Sequence, residues 1–311
     1  MQVIYDNIIY SLQRYGGISV VWNELRQRAR QDEDIALTEL DYTHMPYRWL
    51  ERYRIPDFKT DTPAVFHSSY FRILPQKGVR NVTTVHDLTY HFYRKGLPKA
   101  VHVWEEARAL RHSDAVICIS ENTKRDVLHY YPWLREDQLH VIYNGVSDAF
   151  CPIPSVVKQG YLLYVGNTHV DYKRYDVAQE VARLTGLKLV TASSVSREQL
   201  NTLYNEALCL LYPSDYEGFG LPVLEAQKAG CPVIAQQASS IPEVMGNGGW
   251  MVKHDTPARM AAEMADIVRQ LLSRSATDII QAGFDNARRF SWDKAYAQTK
   301  QVYTQLFDTL A

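Results

Sequence analysis

Short apolar runs recur along this chain, and between them lie longer stretches with helical spacing. In the first half the runs are QVIYD, AVFHSS, NVTTVHDL, DAVICIS and LHVIYNGV, and Ile18–Arg30, after the first of them, has the spacing of an amphipathic helix. Several of these runs are apolar throughout rather than at alternate positions. That pattern suits strands buried on both faces, as in a parallel sheet covered by helices. Parallel neighbours also need a crossover of about a dozen residues or more between them, which a helix supplies. The pattern therefore restricts the chain to an α/β architecture with parallel sheets.

The alternation breaks once, at CPIPSVVKQG (Cys151–Gly160), which has two prolines and no periodicity and reads as an interdomain linker. It then restarts. GYLLYVG, LKLVTA, LCLLYPS and CPVIAQ read as strands. Tyr175–Thr185, SREQLNTLYNEA with Ser196 as N-cap, and Pro222–Ala229 with Gly230 just past its end read as helices. The 311 residues fit two domains at about 150 residues each. The expected boundaries are 1–152 and 153–290. Ligands of such sheets bind beyond the carboxyl ends of the strands, and two such sheets face to face would enclose an interdomain cleft.

Composition excludes some functions. A net charge of −1 provides no global basic field for nucleic acid. The first residues, MQVIYDNIIYSLQRYGG, lack the basic start and apolar run of a signal peptide, and no apolar stretch approaches the ~20 residues of a membrane span. Cys118, Cys151, Cys209 and Cys231 lie far apart, three of them in apolar runs, and read as small core residues of a reduced, cytoplasmic protein. The histidines form no metal-ligand spacing. His67, ending AVFHSS, fits a core position as well as one lining a ligand site. The stretch Tyr42–Phe58 is rich in Tyr, Trp and Arg. It fits an exposed amphipathic helix, or a surface for peripheral contact with a membrane and a lipid-linked acceptor.

The stretch most suggestive of chemistry is SDYEGFGLPVLEAQKAG, Ser214–Gly230. It places Gly218, Phe219, Gly220 and Leu221 at the start of a helix, where backbone N–H groups lack intrahelical partners and carry the positive end of the dipole. Such a site suits phosphate. The carboxylates Glu217 and Glu225 would repel a bare phosphate, so they fit better as acceptors for hydroxyl groups on a phosphorylated ligand, such as those of a sugar or ribose. A plainer reading stays open: Glu225 in the first helical turn complements the dipole, and Glu217 is a solvated loop residue.

The residues SDYEGFGLPVLEAQKAGCPVIAQQASSIPEV resemble the signature of the family 4 retaining glycosyltransferases, which have the GT-B fold. Two glutamates eight positions apart flank Gly-Phe-Gly-Leu-Pro. RYGGISVVWNEL, TVHDL, ICISENTKRDVL, VIYNGV, YVGNTHVDYKR and FSWDKAYAQTKQVY follow the family's order along almost the whole chain. The resemblance implies two Rossmann-like domains facing a cleft. The N-terminal domain would lie on the acceptor side and the second would bind the nucleotide sugar, with a helix over 291–311 packing back on the first. It assigns the ribose hydroxyls to Glu225, donor-sugar hydroxyls to Glu217, the donor diphosphate to Lys173, and donor-sugar contact to His86. Gly16 and Gly17 would form the N-domain lip, and the amides around Gly220 and Leu221 would touch the donor. Asp87, Asn144, Gly166, Gly218 and Phe219 complete the implied binding set. The sequence departs from the family twice. Asn167 stands where an arginine is common, so Arg174 is the candidate for the missing charge. LKLVTASSVSREQL joins directly what the family usually separates by a further helix and strand, which shortens the second domain and leaves Val195 near the nucleobase.

The activity so implied is metal-independent, cofactor-free transfer of a hexose, with mannose favoured, from a nucleotide-diphosphate sugar to a glycan or lipid-linked acceptor. The expected setting is cytoplasmic, at the inner face of a bacterial membrane, in synthesis of surface polysaccharide such as lipopolysaccharide O-antigen. The alternatives on the same scaffold are a nucleotide-sugar-binding protein without turnover, a phosphorylase, and an epimerase.

Overall fold

The computed structural model describes residues 1–13, 16–42 and 51–310. The chain forms two compact units, Met1–Gly145 with the helix from Trp292 onward, and Val146–Ser291.

The first unit runs β1 (Gln2–Asp6), α1 (Ile9–Leu12), α2 (Gly17–Gln31), β2 (Ala36–Leu40), β3 (Ala64–Ser68), β4 (Val79–Val85), α3 (Thr89–Tyr93), α4 (Gly96–Arg111), β5 (Ala115–Cys118), α5 (Glu121–Tyr130) and β6 (Leu139–Val141). Its sheet has the order β2-β1-β3-β4-β5-β6, and every pairing is parallel. All residues of β3 and β5 are buried, as continuous apolar runs require.

The second unit runs β7 (Leu162–Val165), α6 (Tyr175–Thr185), β8 (Leu189–Ala192), α7 (Arg197–Glu206), β9 (Cys209–Tyr212), α8 (Leu221–Lys228), β10 (Val233–Gln236), α9 (Ile241–Met245), β11 (Trp250–Val252), α10 (Pro257–Ser273) and α11 (Thr277–Ala287). The sheet order is β11-β10-β9-β7-β8, again wholly parallel. Its core gathers Leu162, Tyr164, Leu211 and Ile234 with Val177 and Val181 of α6 and Met260 and Met264 of α10. Ser196 caps α7 as expected, in a reciprocal capping box with Gln199. In each sheet the strand order reverses beside the first strand, between β1 and β3 and between β7 and β9. Ligands bind at such switch points in open α/β sheets.

The last helix, α12 (Trp292–Asp308), follows the second unit in sequence but packs on α2 and β3 of the first. Tyr303 is buried in that unit's core, and Lys300 pairs with Asp32 and Asp34.

Two expectations need correction, and a third lies mostly outside the described residues. The first unit ends at Gly145, not at residue 152. The proline-rich stretch is fastened to the second unit because buried amides of α7 satisfy its backbone. Asn201 accepts the Cys151 N–H at 3.1 Å, Asn205 accepts that of Ile153 at 2.7 Å, and Asn205 donates to the Cys151 carbonyl at 3.0 Å. Cys118, Cys209 and Cys231 are buried, but Cys151 on this stretch is exposed. Most of Tyr42–Phe58 lies outside the described residues. Of the remainder, Arg52 turns inward to pair with Glu105 at 2.5 Å and lies over the rings of Tyr53 and Tyr70, and Tyr42 accepts from Arg72. Among the described residues no helix is long and apolar enough to cross a membrane.

Asn205→Ala removes both the donor and the acceptor that hold this stretch, leaving buried backbone groups unpaired. We expect it to cost the second unit about 2–3 kcal/mol, seen as a lower urea midpoint for that unit. An unchanged midpoint would mean that Asn201 and the prolines hold the stretch without Asn205.

Candidate active site

Three loops leave the carboxyl ends of β7, β9 and β10, which are neighbours in the second sheet. A backbone bond across the switch point, from the Asp215 N–H to the Tyr172 carbonyl at 2.8 Å, ties the first loop to the second. The third loop grips the second from the other side. Ser239 accepts the Glu217 N–H at 2.8 Å, and the buried Ser240 hydroxyl lies 2.9 Å from the Glu217 carbonyl and 2.8 Å from that of Phe219. The residues Glu217–Phe219 are therefore held by a frame of hydrogen bonds.

Lys173 and Glu217 meet on this frame. The Lys173 ammonium donates to both carboxylate oxygens, at 2.6 and 2.7 Å, and the pair is 22% and 11% exposed. A charge pair this enclosed is screened far less than a surface one. Beneath it lies Tyr212, almost fully buried, whose hydroxyl bonds to Glu217. Burial first, then the Glu217 charge, holds its proton on well above the usual tyrosine range. The charge of Glu225 also acts on Tyr212, so both carboxylates bear on one ring.

Glu225 lies elsewhere on α8 than expected. The helix begins at Leu221, so Glu225 is its fifth residue, past the first turn, and dipole complementation does not account for it. It accepts from Tyr204 at 3.1 Å. Burial pushes its carboxyl up to about 7, against the Tyr204 hydrogen bond and the nearby Arg197 charge. Glu217 is thus clamped by a cation, whereas Glu225 is desolvated and held by one neutral donor.

The glycine before α8 is required by its backbone. Gly220 has φ +108°, and a Cβ there would come within 2.7 Å of Ile241 Cδ1. Phe219, expected to bind ligand, turns its ring into the core instead, edge-on to Phe290 at 5.8 Å, so only its backbone borders the site. Arg174 adopts the left-handed conformation at φ 50° and donates from Nε to Asp215 at 2.5 Å; its charge is engaged in bracing the two loops. Burial raises the Asp215 carboxyl while Arg174 opposes it. Asn167 is exposed and accepts the His169 N–H at 2.9 Å, which makes it a turn residue. Gly166 continues the β-ladder by donating to the Ala192 carbonyl. Val195 is exposed between β8 and α7, next to Ser194 at φ 58°.

The remaining expected residues belong to the first unit. Gly16 precedes α2 and Gly17 is its first residue; among the described residues nothing lies within 4 Å of a Cβ built at Gly17. His86, just past β4, lines a pocket of about 120 Å³ with Ile18, Tyr70, Thr84, Tyr90 and His102. Burial lowers its imidazole to about 4, so it is neutral at physiological pH. Asp87 also borders the pocket, but its Oδ1 accepts the Thr89 N–H at 2.9 Å and so fixes the start of α3. Asn144 is buried beyond β6. His67 is a core residue, fully buried between β-strands and α12.

Sequence reasoning missed Asp215, Tyr204, Tyr212, Ser239 and Ser240. Ser239 and Ser240 stand in the quoted ASSIPEV, but nothing in their spacing marks them as supports for a glutamate twenty or so residues away, and Tyr212 within LCLLYPS reads only as a strand residue.

Residues 154–284 match the family model described as Glycosyl transferases group 1, and residues 35–150 match that described as Glycosyltransferase Family 4. The chain is 27% identical over 288 residues to the O-antigen chain mannosyltransferase B of Escherichia coli, covering 78% of this chain and 74% of that one. It is 26% identical over 242 residues to the O-antigen chain mannosyltransferase RfbU of Salmonella typhimurium, covering 68% of each. Among solved structures, the sucrose-phosphate synthase of Thermosynechococcus elongatus superposes with a TM-score of 0.76 at 16% identity, over 99% of this chain and all of that one, a likeness of fold.

The raised Glu225 carboxyl has a consequence for stability. Its folded value of about 7 lies above the ordinary 4.5. Its contribution is therefore fully present below pH 4.5 and is lost as pH rises through about 7. Allowing for its partly open face, the second unit should lose about 2 kcal/mol from this group between about pH 5 and pH 8. Glu225→Gln should remove that part of the pH dependence. Urea unfolding of both proteins at the two pH values reads the difference, and parallel pH profiles would overturn the assignment.

Proposed function

Because the chain belongs to the glycosyltransferases of family 4, we propose that it is a retaining, metal-independent hexosyltransferase. It moves mannose from a nucleotide-diphosphate sugar to a hydroxyl of a glycan or lipid-linked acceptor, in the cytoplasmic assembly of a bacterial surface polysaccharide. The mannosyl and O-antigen parts of this reading follow the two relatives of similar length. The observation that carries the chemistry is the Lys173–Glu217 pair at the switch point of the second sheet, with Glu225 one helical stretch beyond it.

The pair is suited to an exchange. The ammonium of Lys173 satisfies both oxygens of Glu217. A donor diphosphate offers Lys173 a second anion, and Lys173 shifting toward it releases Glu217 to accept hydroxyl protons from the donor sugar. The exchange conserves charge pairing, so neither group is left as an uncompensated buried ion. Glu225 accepts the ribose hydroxyls, with Tyr204 holding its other side. As the glycosidic bond breaks, the electron pair passes to the diphosphate, and Lys173 with the N-terminus of α8 stabilises the growing charge. The acceptor hydroxyl attacks from the face the diphosphate leaves, and a departing phosphate oxygen takes its proton. Configuration is retained without a covalent intermediate. Glu217 orients the donor and is not the nucleophile, since its released oxygens are taken up by the donor-sugar hydroxyls. Among the described residues no group of three or more His, Cys, Asp or Glu side chains is placed to hold a metal ion.

The experiment is a panel of nucleotide sugars with product analysis by NMR, which separates transfer, phosphorolysis, epimerisation and no reaction. Transfer with retained anomeric configuration supports the proposal, and any other result overturns it. Activity in excess EDTA should equal that without it; loss on chelation and recovery with manganese would remove the metal-independent part.

Lys173→Ala should lower kcat about a hundred-fold, the order of loss for one preorganised electrostatic donor, with a smaller change in donor KM. Arg174→Ala should act through the loop it braces, with a lowered unfolding midpoint accompanying a more modest loss of kcat. A catalytic loss for Arg174→Ala as large as that of Lys173→Ala, at unchanged stability, would place the diphosphate against Arg174 instead.

A further inference from the structure

The pocket beside His86 has chemistry that the donor site does not explain. Its walls include Tyr70, Phe71 and Tyr90, with His102 stacked on Tyr90 at 3.8 Å between ring centres. Burial holds both His86 and His102 neutral, at about 4 and about 3, and in His102 the Arg52 charge adds to the effect. Among the described residues, the one formal charge on the lining is the Asp87 carboxylate. Aromatic faces, neutral imidazoles and a carboxylate disfavour an anion and suit a neutral ring that carries hydroxyl groups.

Thr84 also lines this pocket, and it ends a buried chain of hydrogen bonds. Tyr5 and Tyr303 place their hydroxyl oxygens 3.1 Å apart, Tyr303 lies 2.5 Å from His67 Nδ1, and His67 Nε2 lies 2.8 Å from Thr84 Oγ1. Tyr5, His67 and Tyr303 are fully buried. Burial lowers the His67 imidazole to about 3, so it carries one ring proton.

The direction of the chain follows from counting protons. If Thr84 donated to Nε2, His67 would donate from Nδ1 to Tyr303, and Tyr303 to Tyr5. Among the described residues the Tyr5 hydroxyl has no acceptor other than Tyr303, so its proton would be orphaned in the core. Such a group costs about 1–3 kcal/mol. In the opposite direction Tyr5 donates to Tyr303, Tyr303 to Nδ1, and Nε2–H to Thr84. Every core proton then has an acceptor, and the one left over is the Thr84 hydroxyl proton, on a residue that borders the pocket.

We propose that Thr84 is a hydrogen-bond donor to an oxygen of a neutral polyhydroxylated ring bound in this pocket, and that Tyr303 of the last helix fixes its direction through His67. The proposal rests on the reading of the chain as a sugar-transferring enzyme and gives the first unit's ligand its chemical class. Thr84 touches the ligand, while His67, Tyr303 and Tyr5 act through it as positioning residues.

Two measurements on the full chain test it. Imidazole nitrogen NMR, with His67 assigned by comparison with His67→Gln, should find a neutral Nε2–H tautomer at about pH 7. A neutral Nδ1–H tautomer would reverse the chain and overturn the proposal. Methyl α-mannopyranoside and methyl α-glucopyranoside serve as neutral-ring probes, titrated against wild type and variants. Thr84→Val should weaken the better probe about five-fold or more, the loss of one hydrogen bond, and Thr84→Ser should restore it. Tyr303→Phe should weaken it at unchanged nucleotide-sugar affinity. Wild type that binds neither glycoside, or Thr84→Val that binds like wild type, would sink the proposal. Nucleotide-sugar binding to the full chain is measured separately. A chain that binds the glycosides through Thr84 but transfers no sugar would refute the proposed function and leave this inference standing.

Discussion

The hydrogen bond between the Asp215 amide and the Tyr172 carbonyl is the constraint on which the candidate site depends. It bridges the switch point of the second sheet, where consecutive connections leave β7 and β9 in opposite directions and open a gap. Without a tie across that gap the two loops would move independently. With it, Lys173 and Glu217 are brought within chelating distance, and Arg174 closes on Asp215 beside them. The serine pair after β10 completes the frame from the third strand. The charges are thus placed by neutral backbone bonds, which are short, directional and insensitive to salt.

The two glutamates of the loop and helix illustrate how environment assigns different work to one side-chain type. Glu217 has both oxygens occupied by the Lys173 ammonium. Among the described residues Glu225 accepts from the Tyr204 hydroxyl, with the Arg197 charge nearby, and burial makes its charge costly near neutrality. A ligand that donates two hydroxyls to Glu225 repairs that deficit, so part of its binding free energy comes from relieving strain already present in the protein.

Much of this was legible in the sequence, for a physical reason. Parallel strands buried on both faces must be apolar along their whole length, so AVFHSS, DAVICIS and LCLLYPS announced themselves, as did the Ser196 N-cap. The strands β2 and β11 were missed: their residues are mostly half-buried, as at sheet edges, and leave no continuous apolar run. The residue identities of the site were legible through the match around Glu217 and Glu225, but their supports were not. Ser240 is separated from the carbonyls it holds by a helix and a strand, and periodicity carries no information across that distance. Phe219 misled because its neighbours border the site while its own ring is an anchor. Asp87 does two things at once, bordering the pocket and accepting the Thr89 N–H, and the sequence pointed only to the first.

The last helix belongs to the unit that begins the chain, and this has a consequence for how the protein is made. A ribosome extrudes the first unit's six strands long before Trp292–Asp308 exists, so β3 and α2 must wait for their cover while the whole second unit emerges. Throughout that interval Tyr5, His67 and Trp22 lack the Tyr303 side of their aromatic cluster. The nascent chain carries an unfinished apolar face until Trp292–Asp308 has emerged, and that helix docks only after the second unit has been made.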